Sequence, residues 1–265
     1  MKRQTLIIAT LTLVLGMGFV SCKKKGCTDA TATNYNESAD TDDGSCTYDT
    51  PSASAPQPYT PNFSGEFAAL IAIKTMTTTS TPLGPFDVEV GTAVAVFSEN
   101  AGNSFVSAGT VNTDGNTLTA QDNNSYVYMI SASNPNGLTF GSTVNWGATG
   151  STWQAFTAST TQGFTTLTEI TSGDVSTSSS YTLQANTISN ADSILYAVYG
   201  PTSTQTVIVA GSNTSHTFSA ADLSGIGTGS GYVQIVGLNY DPQTIGGKQY
   251  WMVNETVRTK QVTIN

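Results

Sequence analysis

The alternation of apolar and polar residues along the chain predicts a protein built almost entirely of β-strands. From residue 63 onward, apolar clusters of strand length recur between Gly, Asn, Asp and Pro residues, without a convincing helical period. The expected strands are residues 67–74, 92–98, 105–111, 117–120, 126–131, 144–148, 165–171, 181–185, 193–199, 206–210, 232–240, 250–255 and 259–264.

Turn-forming residues separate these strands. Asp114-Gly115 and Gly246-Gly247 suit tight hairpin turns, because both central positions of such turns need a positive φ. Further turns are predicted at residues 134–137 (Asn-Pro-Asn-Gly) and 239–242 (Asn-Tyr-Asp-Pro). Ser219 suits the N-cap of a single helical turn that follows it.

The number and spacing of the strands predict an all-β fold with two tandem β-sandwich domains of the immunoglobulin-like type. A Ser/Thr-rich stretch at 160–177 marks the break, and the predicted domains are a first sandwich at 63–165 and a second at 166–265. The body contains no cysteine, which excludes the Cys–Trp–Cys core of antibody domains.

Two short segments of the second half carry a family resemblance. Residues 188–194 (Ile-Ser-Asn-Ala-Asp-Ser-Ile) and 217–223 (Thr-Phe-Ser-Ala-Ala-Asp-Leu) resemble a module of Bacteroidota lipoproteins of unknown function, with immunoglobulin-like or fibronectin-like sandwiches. The resemblance covers the second half of the chain and, less clearly, residues 65–160. It implies a fold and brings no activity with it.

The first 21 residues have the pattern of a secretory signal peptide, with two basic residues before an apolar stretch at 6–20. The segment Phe-Val-Ser-Cys that ends at Cys22 resembles a lipobox, with Phe where Leu is usual. This resemblance implies cleavage before Cys22 and lipid on that cysteine. We expect the lipid to attach the protein to the outer membrane, on either of its faces. The alternative is an ordinary signal peptide followed by a chance cysteine.

Two spacers are expected around the next segment. Residues 22–26 form a lipid-anchored tether whose three lysines suit anionic head groups, the alternative being a solvated spacer. Residues 49–62 contain four prolines among Ser, Ala and Thr, which predicts a partly extended linker that holds the body away from the membrane.

Between the spacers, residues 27–48 are expected to form a small module closed by a disulfide. Once Cys22 is lipidated, Cys27 and Cys46 are the remaining cysteines, and an oxidising envelope would pair them. A loop of this length gains about 3 kcal/mol from such a bond on the chain-entropy model.

The module is rich in oxygen ligands, among which Asp29, Asp40, Asp42 and Asp43 are candidates for Ca²⁺. A strict EF-hand pattern fails, because Ala39 and a threonine would occupy ligand positions. The spacing of Cys, Asn-Tyr-Asn and Asp-Asp-Gly-Ser-Cys resembles a Cys-bounded repeat of Bacteroidota surface proteins and, distantly, thrombospondin type 3 repeats. The resemblance implies a calcium-binding stalk module; the alternative is an acidic loop without an ion.

The net charge and the candidate catalytic residues argue against two classes of function, nucleic-acid binding and catalysis. A net charge of −9 makes nucleic acid a poor partner, because acidic proteins are repelled by phosphates. His216 is the single histidine, no Gly-x-Ser-x-Gly motif is present, and no motif flags a pair of carboxylates. We therefore expect no catalytic activity.

Two further features suggest surface chemistry. Trp146, Trp153 and Trp251 are candidates for a sugar-stacking platform, with packing in the core as the alternative. Asp192-Ser193-Ile194 resembles the Bacteroidota O-glycosylation acceptor, which implies a glycan on Ser193 unless the strand buries it.

Taken together, these patterns predict a lipid-anchored envelope or cell-surface protein that binds or adheres, without catalysis, to a protein or glycan ligand. Two alternatives remain. One is an accessory glycan-binding lipoprotein of a polysaccharide-uptake system, and the other is a purely structural envelope protein.

Overall fold

The structure, a computed structural model, describes residues 24–47, 56–81 and 84–265. The chain forms two compact units, Met1–Ala55 and Pro56–Asn265. Strands make up 48% of the structure and helix 2%, so the prediction of an all-β sandwich fold is confirmed. Among the described residues, no helix is both long and apolar enough to cross a membrane.

In the first unit, the described residues form a chain of turns closed by a disulfide. Cys27 and Cys46 are bonded, with their Cα atoms 4.8 Å apart, as the sequence predicted. A bridge between Lys25 and Thr41 and side-chain hydrogen bonds around Asn34 complete the segment. Since so short a segment buries little apolar surface, the covalent bond is its main constraint.

The second unit contains the strands and the helix. In chain order they are β1 Phe67–Thr81, β2 Gly84–Ser98, β3 Val111–Thr113, β4 Asn116–Thr117, β5 Thr119–Ala120, β6 Tyr126–Val127, β7 Asn145–Ala148, β8 Phe156–Ser159, β9 Thr166–Leu167, β10 Tyr181–Gln184, β11 Ile188–Ser189, β12 Ser193–Tyr199, β13 Thr204–Ala210, β14 Ser215–Phe218, α1 Ala220–Leu223, β15 Gly229–Ile245 and β16 Lys248–Ile264.

One long sheet organises this unit. Its order is β13-β12-β15-β16-β1-β2-β6-β5, and all neighbours are antiparallel except β1 and β16, which are parallel. The smaller sheets are β4-β3-β7-β8, β10-β14 and β11-β9. The pairing of β1 with β16 joins the two ends of the unit in one sheet.

Two hydrophobic clusters lie on one face of the long sheet. The first packs β1, β2 and the start of β16 against the sheet of β3, β7 and β8. The second packs β12, β15 and the end of β16 against β9, β10, β14 and α1. The two sandwiches thus share one continuous sheet, a feature that the sequence did not show. A domain boundary at residue 165 stays a prediction.

Strand β16 runs through both clusters, although the sequence predicted two strands there. The sequence suggested a break because the core-facing side of β16 has a polar stretch between its apolar ends. In this stretch Thr256 Oγ1 donates to Thr165 O at 3.0 Å and Lys260 Nζ donates to Ser172 O at 2.7 Å. The core-facing guanidinium of Arg258 binds Asp87 at 2.7 Å. These partners replace apolar packing, so the strand continues where its hydrophobic pattern stops.

The predicted turns have mixed outcomes. Gly246 and Gly247 form the β15–β16 turn, with φ of 58° and 83°. The turn predicted at 239–242 is wrong, because β15 continues through Pro242 to Ile245. Since β12 pairs with β15 only at 232–238, Pro242 lies beyond that pairing, where a missing N–H is tolerated.

Of the other local predictions, one is confirmed and one is wrong. Ser219 caps α1 in a capping box with Asp222, as its type and position indicated. The strand expected at 105–111 is wrong over most of its length, because pairing starts at Val111. Strands β8 and β14 were not predicted; each has four residues and depends on pairing with β7 or β10.

Candidate binding surfaces

The face of the long sheet opposite both clusters is the first candidate surface; we call it the outer face. Strand alternation places Val233 and Ile235 in the second cluster and therefore Tyr232, Gln234 and Val236 on the outer face. The same alternation assigns the neighbouring strands, apart from the residues at 78–85. The outer face thus carries side chains from β13, β12, β15, β16, β1 and β2 in cross-strand rows.

At one end, aromatic side chains from residues 56–66 pack on the outer face. The ring centroid of Tyr59 is 5.0 Å from that of Tyr240 and 6.2 Å from that of Trp251. Phe63 lies 5.0 Å from Phe67 and 6.0 Å from Trp251. The segment before β1 is thereby fastened to the sheet that β1 begins.

The middle of the outer face contains one carboxylate. Glu255 lies between Leu238 on β15 and Ile73 on β1 in its cross-strand row. Burial among these side chains raises the pKa of the Glu255 carboxyl, because desolvation disfavours its charged form. Burial raises the pKa of Tyr240 to about 12, and the negative charge of Glu255 adds to this shift.

The opposite end of the outer face exposes aromatic and apolar side chains. Tyr199 on β12 is 36% exposed and its register partner Tyr232 on β15 is 49% exposed. Ile208 on the edge strand β13 is also exposed. None of the outer-face residues in the three rows here is charged. The rows are Thr204, Tyr199, Tyr232 and Gln261; Thr206, Ala197, Gln234 and Thr259; and Ile208, Leu195, Val236 and Val257.

A second candidate is a shallow groove of about 600 Å³ on the outside of the β3-β7-β8 sheet. Gly147 forms its floor between Asn112 and Thr157, its register partners on either side. Ser159 Oγ donates to Asn145 Oδ1 at 2.7 Å along one wall. Amide and hydroxyl groups on a small-residue floor suit hydrogen bonding to a polar, uncharged ligand.

The predicted tryptophan platform is wrong. Trp146 and Trp153 are 2% and 0% exposed and belong to the first cluster. Trp153 Nε1 donates to Tyr250 Oη at 2.9 Å inside that cluster. Trp251 is 8% exposed and packs with Tyr59 and Phe63. Since these indole faces are covered by protein, they do not offer stacking surfaces.

The predicted glycosylation site is also contradicted in the folded chain. Ser193 is completely buried in β12, between β13 and β15. Its Oγ donates to Tyr59 O at 3.0 Å. A glycan on this oxygen has no room in the folded structure, because a central strand and the residue 56–66 segment enclose the hydroxyl.

The acidic candidates of the first unit bind backbone groups. Asp29 accepts from Thr31 N, Asp42 from Gly44 N and Asp43 from Ser45 N, each in a local turn. Hydrogen bonds from the side chain and the backbone N–H of Ser45 lower the pKa of Asp43. Among residues 24–47, 56–81 and 84–265, no group of three or more His, Cys, Asp or Glu is arranged to hold a metal. Calcium binding by Asp29, Asp40, Asp42 and Asp43 stays a prediction.

The remaining predicted sites are Cys22 and His216. Cys22 lies outside the described residues. His216 on β14 packs edge-on against Phe218, with ring centroids 4.7 Å apart. Burial lowers the pKa of His216, and the charge of Asp222 opposes that shift. Ser219 N and Ser219 Oγ both donate to Asp222 Oδ2, so this carboxylate belongs to the capping box at the start of α1.

Sequence reasoning missed Tyr199 and Tyr232, which the structure exposes side by side. The signal that identifies them is parity: Tyr232 alternates with the apolar Val233 and Ile235, and Tyr199 alternates with Tyr196 and Val198. Tyrosines at alternate positions to a core row belong to the other face of their strand.

Comparisons with known proteins add little. No protein-family model matches the chain, and no curated protein matches it. One similar solved structure concerns host cell surface retention of a 1.5-MDa bacterial ice-binding adhesin, with 12% identity and a TM-score of 0.19. The match covers 76% of this chain and 65% of that one, which is less than two thirds of its length. Similarity at this level establishes neither a common fold nor a common function.

Proposed function

We propose that this protein is a lipid-anchored envelope or cell-surface protein that binds or adheres to a ligand and has no catalytic activity. In this proposal Cys22 carries the lipid, the disulfide-closed segment and the linker act as a spacer, and the β-sandwich unit presents the binding surface. The outer membrane is the proposed location.

The observation that carries the proposal is the exposed end of the outer face. Tyr199 and Tyr232 are exposed register partners on a broad sheet, in an area without charge. Exposed aromatic side chains lose little conformational entropy when they bind, because only two side-chain torsions must be fixed. A rigid sheet therefore makes a preorganised surface for recognition.

The bonding of the carboxylates supports a non-catalytic role. Asp114 accepts from Asn145 N, Asp174 from Thr263 N, and Asp192 from Tyr240 N, so each fastens one segment to another. Glu66 and Glu99 both bind Lys248, at 3.3 Å and 3.2 Å. These are structural uses of carboxylates, whereas a hydrolase needs two that face a substrate cleft.

The test combines anchoring with display. Cells that make the full chain are compared with cells that make Cys22→Ala, using labelled palmitate and membrane fractionation. We expect label and membrane retention for the unaltered chain only. Intact cells are then treated with protease, and the unit at 56–265 is detected with an antibody. Its removal from intact cells supports surface binding, and its protection until the outer membrane is opened contradicts adhesion.

A second candidate function is accessory glycan binding within a polysaccharide-uptake system. The groove above Gly147 favours it, because its walls offer amides and hydroxyls at the spacing of a β-sheet. A purely structural role, the third possibility from the sequence, would leave both the groove and the exposed tyrosines without a ligand.

A further inference from the structure

We infer that Tyr199 and Tyr232, with Gln234 and Gln261, form a binding platform for a neutral polysaccharide; we call these four residues the tyrosine platform. The inference rests on the proposed binding function and names its ligand class. It assigns recognition to the exposed end of the outer face. The tryptophans that the sequence suggested for this role are covered by other residues.

The first step is the placement of the rings. Tyr199 and Tyr232 are direct register partners on the neighbouring strands β12 and β15. The Cβ atoms of such partners lie about 5 Å apart, so two adjacent rings project from one sheet face. Both side chains are more than a third exposed. Aromatic faces of this kind stack on the C–H faces of pyranose rings, because these apolar faces leave water on contact.

The second step is rigidity. Tyr199 Oη donates to Gln234 Oε1 at 3.1 Å, and Gln234 Nε2 donates to Thr259 Oγ1 at 3.0 Å. This chain of bonds crosses β12, β15 and β16 and holds the Tyr199 ring over the sheet. A ring held in place before binding loses less entropy when the ligand arrives.

The third step is the polar surround. Gln261 is exposed beside Tyr232, and its Nε2 donates to Ser230 Oγ at 3.1 Å. Thr204 is exposed beside Tyr199 on the other side. Amide and hydroxyl groups beside an aromatic face suit sugar hydroxyls, which both donate and accept hydrogen bonds.

The fourth step is charge. The three outer-face rows at this end contain no acidic or basic residue. An anionic polysaccharide would bring carboxylates or sulfates that need basic partners, and the chain as a whole carries a net charge of −9. A neutral chain of hexopyranose units meets no such penalty. The alternative, a protein ligand, is favoured less by a surface on which Thr and Gln surround the two rings.

The probes are hydroxyethyl cellulose, glucomannan and xyloglucan as neutral polysaccharides and polygalacturonate as an anionic one. The full chain, extracted in detergent, is run in native gels that contain each probe, and cellohexaose binding is measured by calorimetry. We expect retardation by at least one neutral polysaccharide and none by polygalacturonate. No retardation by the neutral probes, or retardation by polygalacturonate alone, overturns the inference.

Variants locate the site. Tyr199→Ala and Tyr232→Ala should each weaken binding about tenfold, because each removes one stacking ring. Tyr232→Phe keeps the ring and should retain binding within about threefold. The matched control is Tyr35→Ala, which removes an exposed tyrosine of the first unit and should leave binding unchanged. Unaltered binding by both alanine variants of the platform overturns the inference.

A measurement on the unaltered chain covers the case in which a variant does not fold. Tyrosines are nitrated with tetranitromethane, with and without the retarding polysaccharide, and the modified peptides are quantified by mass spectrometry. Tyr199 and Tyr232 should be protected, whereas Tyr35 should not; equal nitration with and without polysaccharide contradicts the platform. Protease removal of the unit from intact cells is read separately, so failure of glycan binding leaves the surface-binding proposal standing.

Discussion

At the scale of single residues, Glu255 shows how the sheet changes a side chain. It stands on the outer face between apolar neighbours, Leu238 and Ile73, and burial raises its pKa. The native state therefore keeps this proton at pH values where the unfolded chain has lost it. Its contribution to stability is fully present below the unfolded pKa and is lost as the pH rises through the native pKa.

We predict that Glu255→Gln stabilises the protein at neutral pH. The free energy of unfolding of the variant, relative to the unaltered chain, should rise between acidic and neutral pH and then level off. Urea unfolding from pH 4 to pH 8 measures this difference. Glu169→Gln, at an exposed position, is the control and should change the free energy of unfolding only slightly. A constant difference for Glu255→Gln would contradict the prediction.

A second prediction concerns the ion pair of Arg258 within the polar stretch of β16. Arg258 Nη1 and Nη2 donate to Asp87 Oδ1 and Oδ2 at 3.0 and 2.7 Å, and the Arg258 side chain is buried. Asp87→Asn should cost about 1–3 kcal/mol in the free energy of unfolding, because it leaves a buried guanidinium without its carboxylate. Asp122→Asn, on an exposed turn, should cost almost nothing in the same urea titration.

At the scale of elements, β2 depends on direct backbone packing. Gly91 N donates to Asn136 O at 2.9 Å, and Leu138 N donates to Gly91 O at 2.8 Å. A Cβ on Gly91 would lie 1.8 Å from Leu138 O. The loop before β7 can therefore lie on β2 only because residue 91 has no side chain, and this contact delivers Leu138 to the first cluster.

We predict that Gly91→Ala destabilises the second unit by about 2–3 kcal/mol, the cost of forcing a packed backbone apart. Thermal unfolding followed by circular dichroism measures the loss. Gly173→Ala is the matched control, because a Cβ there meets no atom within 4 Å. Similar melting temperatures for the two variants would show that the loop moves away from β2 without cost.

The disulfide governs the short element at the start of the described chain. Cys46→Ser should remove about 3 kcal/mol from the local stability of residues 24–47, because the loop of the unfolded state is no longer closed. Limited proteolysis with mass spectrometry should then detect cleavage within 24–47. The melting temperature of the unit at 56–265 should not change, and a lower value would contradict this prediction.

At the scale of the whole molecule, the long sheet connects the two sandwiches of the second unit. Its two hydrophobic clusters lie on one face, while the outer face carries the exposed end with the tyrosine platform. Strand β16 belongs to both clusters, so an unfolded β16 would disrupt both sandwiches at once. A binding surface on such a sheet is held by long-range pairing and does not depend on loop conformation.

Local chemistry by itself determined several features of this protein. The all-β class, the Cys27–Cys46 bond, the N-cap at Ser219 and the turn at Gly246-Gly247 follow from strand period, cysteine count and backbone preference. These depend on residues close in sequence or on a rare residue type, so no knowledge of packing is needed.

Tertiary structure alone decided which aromatic side chains face water. Trp251 and Tyr232 both lie on the outer face of the long sheet, yet the segment before β1 covers the first and leaves the second exposed. Strand alternation separates the two faces of a strand but does not say which face another element covers. That choice follows from the parallel pairing of β1 with β16 and from the segment before β1, both of which join residues far apart in the chain.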